Sequence, residues 1–220
     1  MLAEIFSRIG TTNRFFVEFG IGRGGEGNTI FLADVVGWAG VYLEAVAEDY
    51  AVLERKYRHN ERVTTRHALV TPETIEPLLS DAGVPREFDL LSIDIDGNDY
   101  WVWEAITSFT PRVVLIEYNS LLDPRSKLVQ PYEIESRWDC SEFYGSSLGA
   151  LRSLAAVKGY FLVHTELTGT NAFFVSDSYR TQFEDVEPVA DRSLNYSLQA
   201  EGPDQRPSEG PYLRLGEDGD

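Results

Sequence analysis

The chain has 220 residues, 43% apolar and 25% charged, enough for one domain with a sizeable core and a short appendage. Thirty-six acids against nineteen Lys and Arg leave a net charge of −17, a field that repels nucleic-acid phosphates and anionic lipid. No run reaches the ~18 apolar residues of a membrane span, and the opening MLAEIFSRIG has no charged-then-apolar signal pattern. The expectation is a cytoplasmic protein with neither nucleic-acid nor membrane partners. Its single cysteine, Cys140, has no internal partner for a disulfide and only Arg137 as a basic neighbour, so it is not read as a nucleophile.

Short apolar runs alternate with helical patterns along the first half. Arg14–Phe19 predicts a strand that breaks on Gly20, and a helix follows over 26–38 with Ile30, Phe31 and Val35 on its apolar side. Val41–Leu43 predicts the second strand, 48–57 a helix, and Val63–Ala68 a weaker third strand. Thr71-Pro72-Glu73-Thr74 reads as an N-cap with proline in the first turn of a short helix, which Pro77 makes irregular and which ends before Gly83. Phe88–Ile95 is a fourth, almost wholly apolar strand. A helix over 100–107 and a strand over Val113–Tyr118 complete the rhythm. Such alternation predicts a doubly wound α/β fold, a parallel sheet covered by helices on both faces.

After Asn119 the rhythm stops. Residues 120–145 are irregular and carry Pro124, Pro131, Tyr132, Trp138, Phe143 and Tyr144, in keeping with a binding segment. A helix over Ser146–Lys158 ends on Gly159. Tyr160–His164 and Ala172–Ser176 then read as antiparallel neighbours, because only a short turn-rich gap divides them. The domain is expected over 1–183. From 184 onward, 37 residues with ten acids, three arginines and four prolines read as a loosely ordered acidic tail.

Glu18-Phe19-Gly20-Ile21-Gly22 sits where the first strand turns toward the first helix, and Gly20, Gly22 and Gly25 match the spacing of a dinucleotide loop. Glu44 follows at the end of the second strand, where a ribose-binding acid belongs. Charge separates the candidate ligands. A pyrophosphate would meet Glu18 and Glu26 with only Arg23 in support, and like charges ~4 Å apart at a dielectric of ~20 cost ~4 kcal/mol. An ammonium and a sulfonium would be favoured by the same carboxylates, which points to S-adenosylmethionine.

With VEFGIG, EGNT and YLEA on the page, the chain resembles class I S-adenosylmethionine-dependent methyltransferases. LLSIDIDGNDYWVW, VVLIEYN, YGSSLGAL and NAFFV are similar to a bacterial small-molecule subgroup related to macrolide O-methyltransferases. The resemblance covers roughly 14–176. It implies a Rossmann-like seven-stranded sheet, mostly parallel with an antiparallel last strand. It also implies that Glu18, Gly20 and Gly22 line the methionine part of the cofactor, that Glu44 holds the ribose, and that His67 and Ala68 flank adenine. Many members carry helices ahead of the first strand that cover the substrate. Here only fourteen residues precede Phe15, so cover must come from 120–145, from the tail, or from another subunit of a homo-oligomer.

Asp94 and Asp96 are two apart, so while the fourth strand persists both project to one face. Glu117 and Asn119 end the fifth strand. Clustered carboxylates repel unless a cation joins them or one is protonated, and such oxygen donors suit Mg²⁺. By resemblance to metal-dependent class I O-methyltransferases, Asp94, Glu117 and Asn119 would hold Mg²⁺, with Asp96 a further ligand or the base. Competing readings stay open: 96–99 as a turn and N-cap, Glu117 paired with an arginine, Asp94 against the cofactor ammonium, or Asp94 or Asp96 as a direct acid–base catalyst. His164 reads as structural. The expected activity is methyl transfer to a small polar acceptor, at oxygen. The alternatives are an NAD(P)-dependent oxidoreductase and a non-catalytic S-adenosylmethionine-binding protein.

Overall fold

Apolar and aromatic residues fill the strands because helices cover both faces of the sheet they form. The computed structural model describes residues 1–134, 141–186 and 211–216. The expectations for Trp138, Cys140 and most of the tail lie outside the described residues. In chain order the first elements are α1 (Leu2–Ile9), β1 (Phe15–Phe19), β2 (Ala39–Glu44), α2 (Ala47–Tyr57), β3 (Val63–His67), α3 (Ile75–Asp81) and β4 (Glu87–Ile93). Then come α4 (Asp99–Ala105), β5 (Thr110–Glu117), β6 (Leu128–Val129), α5 (Leu148–Lys158), β7 (Tyr160–Thr165), β8 (Asn171–Ser176) and β9 (Leu213–Arg214). The sheet runs β3-β2-β1-β4-β5-β8-β7, and β6 pairs separately with β9. This is the Rossmann-like order expected from the sequence.

The chain divides into two compact units, residues 10–95 with 101–114, and residues 1–9, 96–100 and 115–220. In the first, β1 is the central strand, parallel to β2 and β4, with Val17 opposite both Val41 and Leu91. Phe16, Val17, Phe19, Tyr42, Leu90 and Leu91 are fully buried, and the Phe16, Tyr42 and Tyr57 rings pack in succession, tilted, at 5.0 and 5.2 Å. The entry to β1 is tied by a buried acid. Asp89 on β4 meets Arg112 on β5 at 2.6 Å and accepts the Thr12 and Arg14 N–H groups at 3.0 and 2.7 Å. Burial pushes the Asp89 carboxyl up, but the hydrogen bonds from Arg112, Thr12 and Arg14 prevail and hold it below the usual range.

Three local expectations are corrected in this unit. The first crossover is helical only from Ile30 to Val36, its last five residues form a π-turn, and Gly37 (φ +77°) ends it. Residues 26–29 are held outside that helix because Glu18 takes the Asn28 and Thr29 N–H groups. Phe31 and Val35 do not face the core: they are 64% and 68% exposed, and Ala33 is the buried residue. The third helix runs from Ile75, and Thr71 caps its entry as expected: its hydroxyl accepts the Thr74 N–H at 3.3 Å and its carbonyl the Ile75 N–H at 3.0 Å, while Pro77 is accommodated in the first turn. Finally, β4 stops at Ile93 rather than Ile95.

In the second unit, Ser147 caps α5 by accepting the Ala150 N–H, and Gly159 (φ +78°) closes the helix. β7 and β8 are antiparallel, with an irregularity between Leu162 and His164. The sequence reading missed three elements here: α1, a 3-10 helix over Asp177–Phe183, and the β6–β9 pair. Arg8 of α1 bonds the Gln182 carbonyl at 3.0 Å and Asp185 at 2.6 Å, which joins the first two of these. No helix among the described residues is long and apolar enough to cross a membrane.

Candidate functional site

Backbone constraint at the end of β1 sets the first group of residues. Gly20 has φ +78°, and a Cβ there would lie 1.5 Å from the Asp94 carbonyl oxygen, so only glycine lets β1 leave beside β4. Gly22 (φ +57°) faces open space, with nothing within 4 Å of where a Cβ would stand. Its N–H donates to Glu44 Oε2 at 2.7 Å, and the other Glu44 oxygen accepts the Val46 N–H at 2.7 Å. Glu44 is buried, yet among the described residues each of its oxygens accepts one hydrogen bond.

Glu18 is used differently. One oxygen accepts the Asn28 N–H at 2.8 Å and the Ser92 hydroxyl at 3.1 Å. The other accepts the Thr29 N–H at 3.1 Å and the Thr29 hydroxyl at 2.6 Å. Its four acceptor positions are therefore filled from within the chain. Burial pushes the carboxyl above the usual range while these four donors pull the other way. Glu18 thus acts as the internal anion at the start of the Ile30–Val36 helix, a use that the glycine pattern alone did not disclose.

Both cations at this loop are already matched. Arg23 pairs with Asp49 at 2.7 Å, and Lys56 pairs with Asp34 at 2.7 Å while donating to the Gly24 carbonyl at 2.8 Å. Beside Glu44, the Ala68 N–H donates to the Glu44 carbonyl at 3.0 Å, which brings the end of β3 against the end of β2. His67 Nε2 lies 3.0 Å from the Ala45 carbonyl oxygen, and its ring stacks on Tyr50 at 5.2 Å. Tyr50 is the residue missed here; an aromatic one helical turn into α2 was its only signal. Glu18, Gly20, Gly22, Glu44, His67 and Ala68 all belong to this first unit, as does Asp94.

A second group lies in the other unit. Since β4 ends at Ile93, the alternation argument for Asp94 and Asp96 fails. Asp96 instead occupies a turn at φ +58°, and Asp99 accepts the Gly97 N–H at 3.0 Å, which closes that turn. Asn98 donates to the Glu133 carbonyl at 2.6 Å, tying this turn to the irregular segment. Asp96 and Glu117, the last residue of β5, offer carboxylate oxygens within 4.8 Å of one another.

Asn119 is fully buried and heavily engaged. Its amide donates to the Glu142 and Tyr144 carbonyls at 2.8 and 3.1 Å, and its Oδ1 accepts the Leu121 N–H at 3.0 Å. Among the described residues, one lone pair remains on that oxygen. Phe143, expected to pack or line a pocket, meets the Tyr212 ring edge-on at 4.6 Å. His164 sits in β7 near Phe173 at 6.0 Å, as a structural residue would.

No family model and no curated protein matches this chain. Solved structures do match. The N-terminal domain of EvdMO1, crystallised in the presence of SAH and D-fucose, is 14% identical, with 80% of each chain covered and a TM-score of 0.52. The O-methyltransferase from Bacillus cereus in complex with SAH is 19% identical, with 79% of this chain and 76% of that one covered, at 0.48. A Galdieria sulphuraria chain assigned as a sarcosine dimethylglycine methyltransferase is 16% identical at 0.48, and this chain spans 60% of its length. At such identities the likeness is one of fold: a Rossmann-like, mostly parallel seven-stranded sheet with one antiparallel strand.

Proposed function

We propose that this protein is an S-adenosylmethionine-dependent methyltransferase that transfers a methyl group to oxygen on a small polar acceptor. The observation that carries the reading is the use of Glu18. A dinucleotide needs the N–H groups at the first helix start for its pyrophosphate. Here the Asn28 and Thr29 N–H groups already bond a buried carboxylate, and both nearby cations are neutralised. The site favours a ligand without phosphate.

The residues fit that ligand. Glu44 keeps one lone pair on each oxygen for a ribose diol, Gly22 leaves space for close approach, and His67 on Tyr50 offers a flat aromatic surface for adenine beside Ala68. Gly20 and Gly22 border the methionine part, and Glu18 serves as the residue that positions their loop. When bound, S-adenosylmethionine supplies a methyl group on a sulfonium centre, open to in-line displacement. The chain's contribution is then to hold donor and acceptor in attack geometry.

A divalent cation is the second part of the proposal. Asp96 and Glu117 supply paired oxygen donors suited to Mg²⁺, and Asn119 retains a lone pair. Asp94, two residues before Asp96 in the chain, is the proposed further ligand. Held there, Mg²⁺ supplies Lewis acidity that lowers the pKa of an acceptor hydroxyl. The competing role for Asp94 or Asp96 is that of general base without metal. Radiolabelled methyl transfer to a panel of catechols, sugars and hydroxy acids, with and without chelator, tests both halves. Transfer indifferent to chelator removes the metal and leaves the base.

A further inference from the structure

Residues Pro211–Gly216 lie within the acidic tail, yet they carry a single charge, that of Arg214, and they dock on the irregular segment after β5. In β9, Leu213 stands opposite Val129 and Arg214 opposite Leu128, and the Leu215 N–H donates to the Lys127 carbonyl at 2.9 Å. A two-residue pairing is marginal by itself. Tyr212 supplies the remainder. Its hydroxyl accepts the Tyr144 backbone N–H and shares an Asn119 side-chain N–H with the loop carbonyls, both at 3.2 Å. The same hydroxyl lies 3.3 Å from the Glu142 carbonyl and 3.4 Å from the Tyr144 carbonyl, either of which can take its proton. The ring packs edge-on against Phe143 at 4.6 Å.

These contacts join the two ends of one loop. Asn119 opens the segment just after β5, and Glu142 and Tyr144 close it just before α5. The Asn119 N–H donates to the Ser146 carbonyl at 2.8 Å, and Gln130 and Gly145 bond each other twice, at 2.8 and 2.9 Å. One hydroxyl from the far end of the chain thus completes the closure of the segment that borders Glu117.

We infer that Pro211–Gly216 is a strap that shapes the acceptor side of the site, with Tyr212 as a positioning residue that acts through Asn119 and the loop it closes. The inference rests on the methyltransferase reading for its link to the acceptor. Because the donor residues Glu18, Gly20, Gly22 and Glu44 lie in the other unit, the strap should govern acceptor and not donor.

The test compares three full-length chains: wild type, Tyr212→Phe, which keeps the ring and loses the hydroxyl, and Leu215→Pro, which deletes the N–H bonded to Lys127. Amide exchange is expected to quicken at least fivefold around Asn119 and Tyr144 in both variants, with β1 and β4 unchanged. Affinity for S-adenosylhomocysteine should stay within twofold of wild type. On the acceptor panel, acceptor KM should rise at least fivefold while donor KM holds. Exchange equal to wild type in both variants overturns the strap. Quickened exchange throughout the chain, or both KM values moving together, reduces Tyr212 to general scaffolding and overturns its positioning role. A wild-type chain that fails to bind S-adenosylhomocysteine or to methylate any panel member contradicts the methyltransferase reading instead, and the exchange result then decides the strap alone.

Discussion

Replacing Glu44 with glutamine separates the two uses of this carboxylate. In the native chain one oxygen accepts the Gly22 N–H and the other the Val46 N–H, each at 2.7 Å, in a buried setting. An amide of the same shape can accept only one of them and turns an NH₂ group toward the other. The orphaned N–H costs about 1–3 kcal/mol, and the surviving bond loses its charge assistance, about 1 kcal/mol more. For a chain of this size that total lowers the melting temperature by roughly 5–15 °C. The same change takes from a ribose diol one charged acceptor worth about 1.5–3 kcal/mol, which weakens binding of S-adenosylhomocysteine roughly 10–100-fold. Calorimetric titration beside a thermal melt reads both quantities. An affinity within twofold of wild type, together with the expected fall in melting temperature, would leave Glu44 as loop support only and refute its assignment to the ribose.

Further outcomes follow from the same geometry. Gly20→Ala must place a Cβ 1.5 Å from the Asp94 carbonyl oxygen at φ +78°, so β1 and β4 must separate there. A loss of about 3 kcal/mol or more is expected, roughly 6–12 °C in melting temperature; an unshifted melt would contradict the register of these strand ends. Asp89→Ala strands a buried arginine and should cost about 3–5 kcal/mol at neutral pH. Because the folded Asp89 pKa lies below its unfolded value of about 3.9, its contribution is fully present above that value and fades as pH falls through the folded one. Urea melts at pH 7 and pH 3 should therefore show the wild-type advantage shrinking in acid, and a constant advantage would refute the ion pair's role. Asp96→Asn and Glu117→Gln should each abolish rescue of chelated enzyme by Mn²⁺ while leaving S-adenosylhomocysteine affinity unchanged; rescue that survives both substitutions would remove the metal.

What the sequence made legible was what local chemistry dictates. The apolar runs gave β1, β2, β4 and β5 to within two or three residues, since strands buried on both faces are mostly apolar and keep polar residues only at a few partnered positions such as Glu18, Asp89 and Arg112. Gly20 and Glu44 stood out because a strand-ending glycine and a strand-ending acid are rare without cause. Other features depended on tertiary partners. The helix after β1 lost its opening turn to the Glu18 carboxylate, 10 residues from Asn28 in the chain, and no helical periodicity in residues 26–29 reports that. Likewise β4 ended early because 96–99 form a turn closed by Asp99, although the apolar pattern continues through Ile95. β9 was hidden most thoroughly. Tyr212-Leu213-Arg214 is a short segment in an acidic stretch, and its partner, β6, is only two residues long.

The central claim is that the Gly20–Gly22 loop takes S-adenosylmethionine and not a dinucleotide. Titrating the wild-type chain with S-adenosylhomocysteine and, in parallel, with NAD⁺ and NADP⁺ measures this directly. The account predicts saturable one-to-one binding of S-adenosylhomocysteine and none of either dinucleotide, because Glu18 already occupies the N–H groups that a pyrophosphate would need. Binding of NAD⁺ or NADP⁺ with no response to S-adenosylhomocysteine would contradict it.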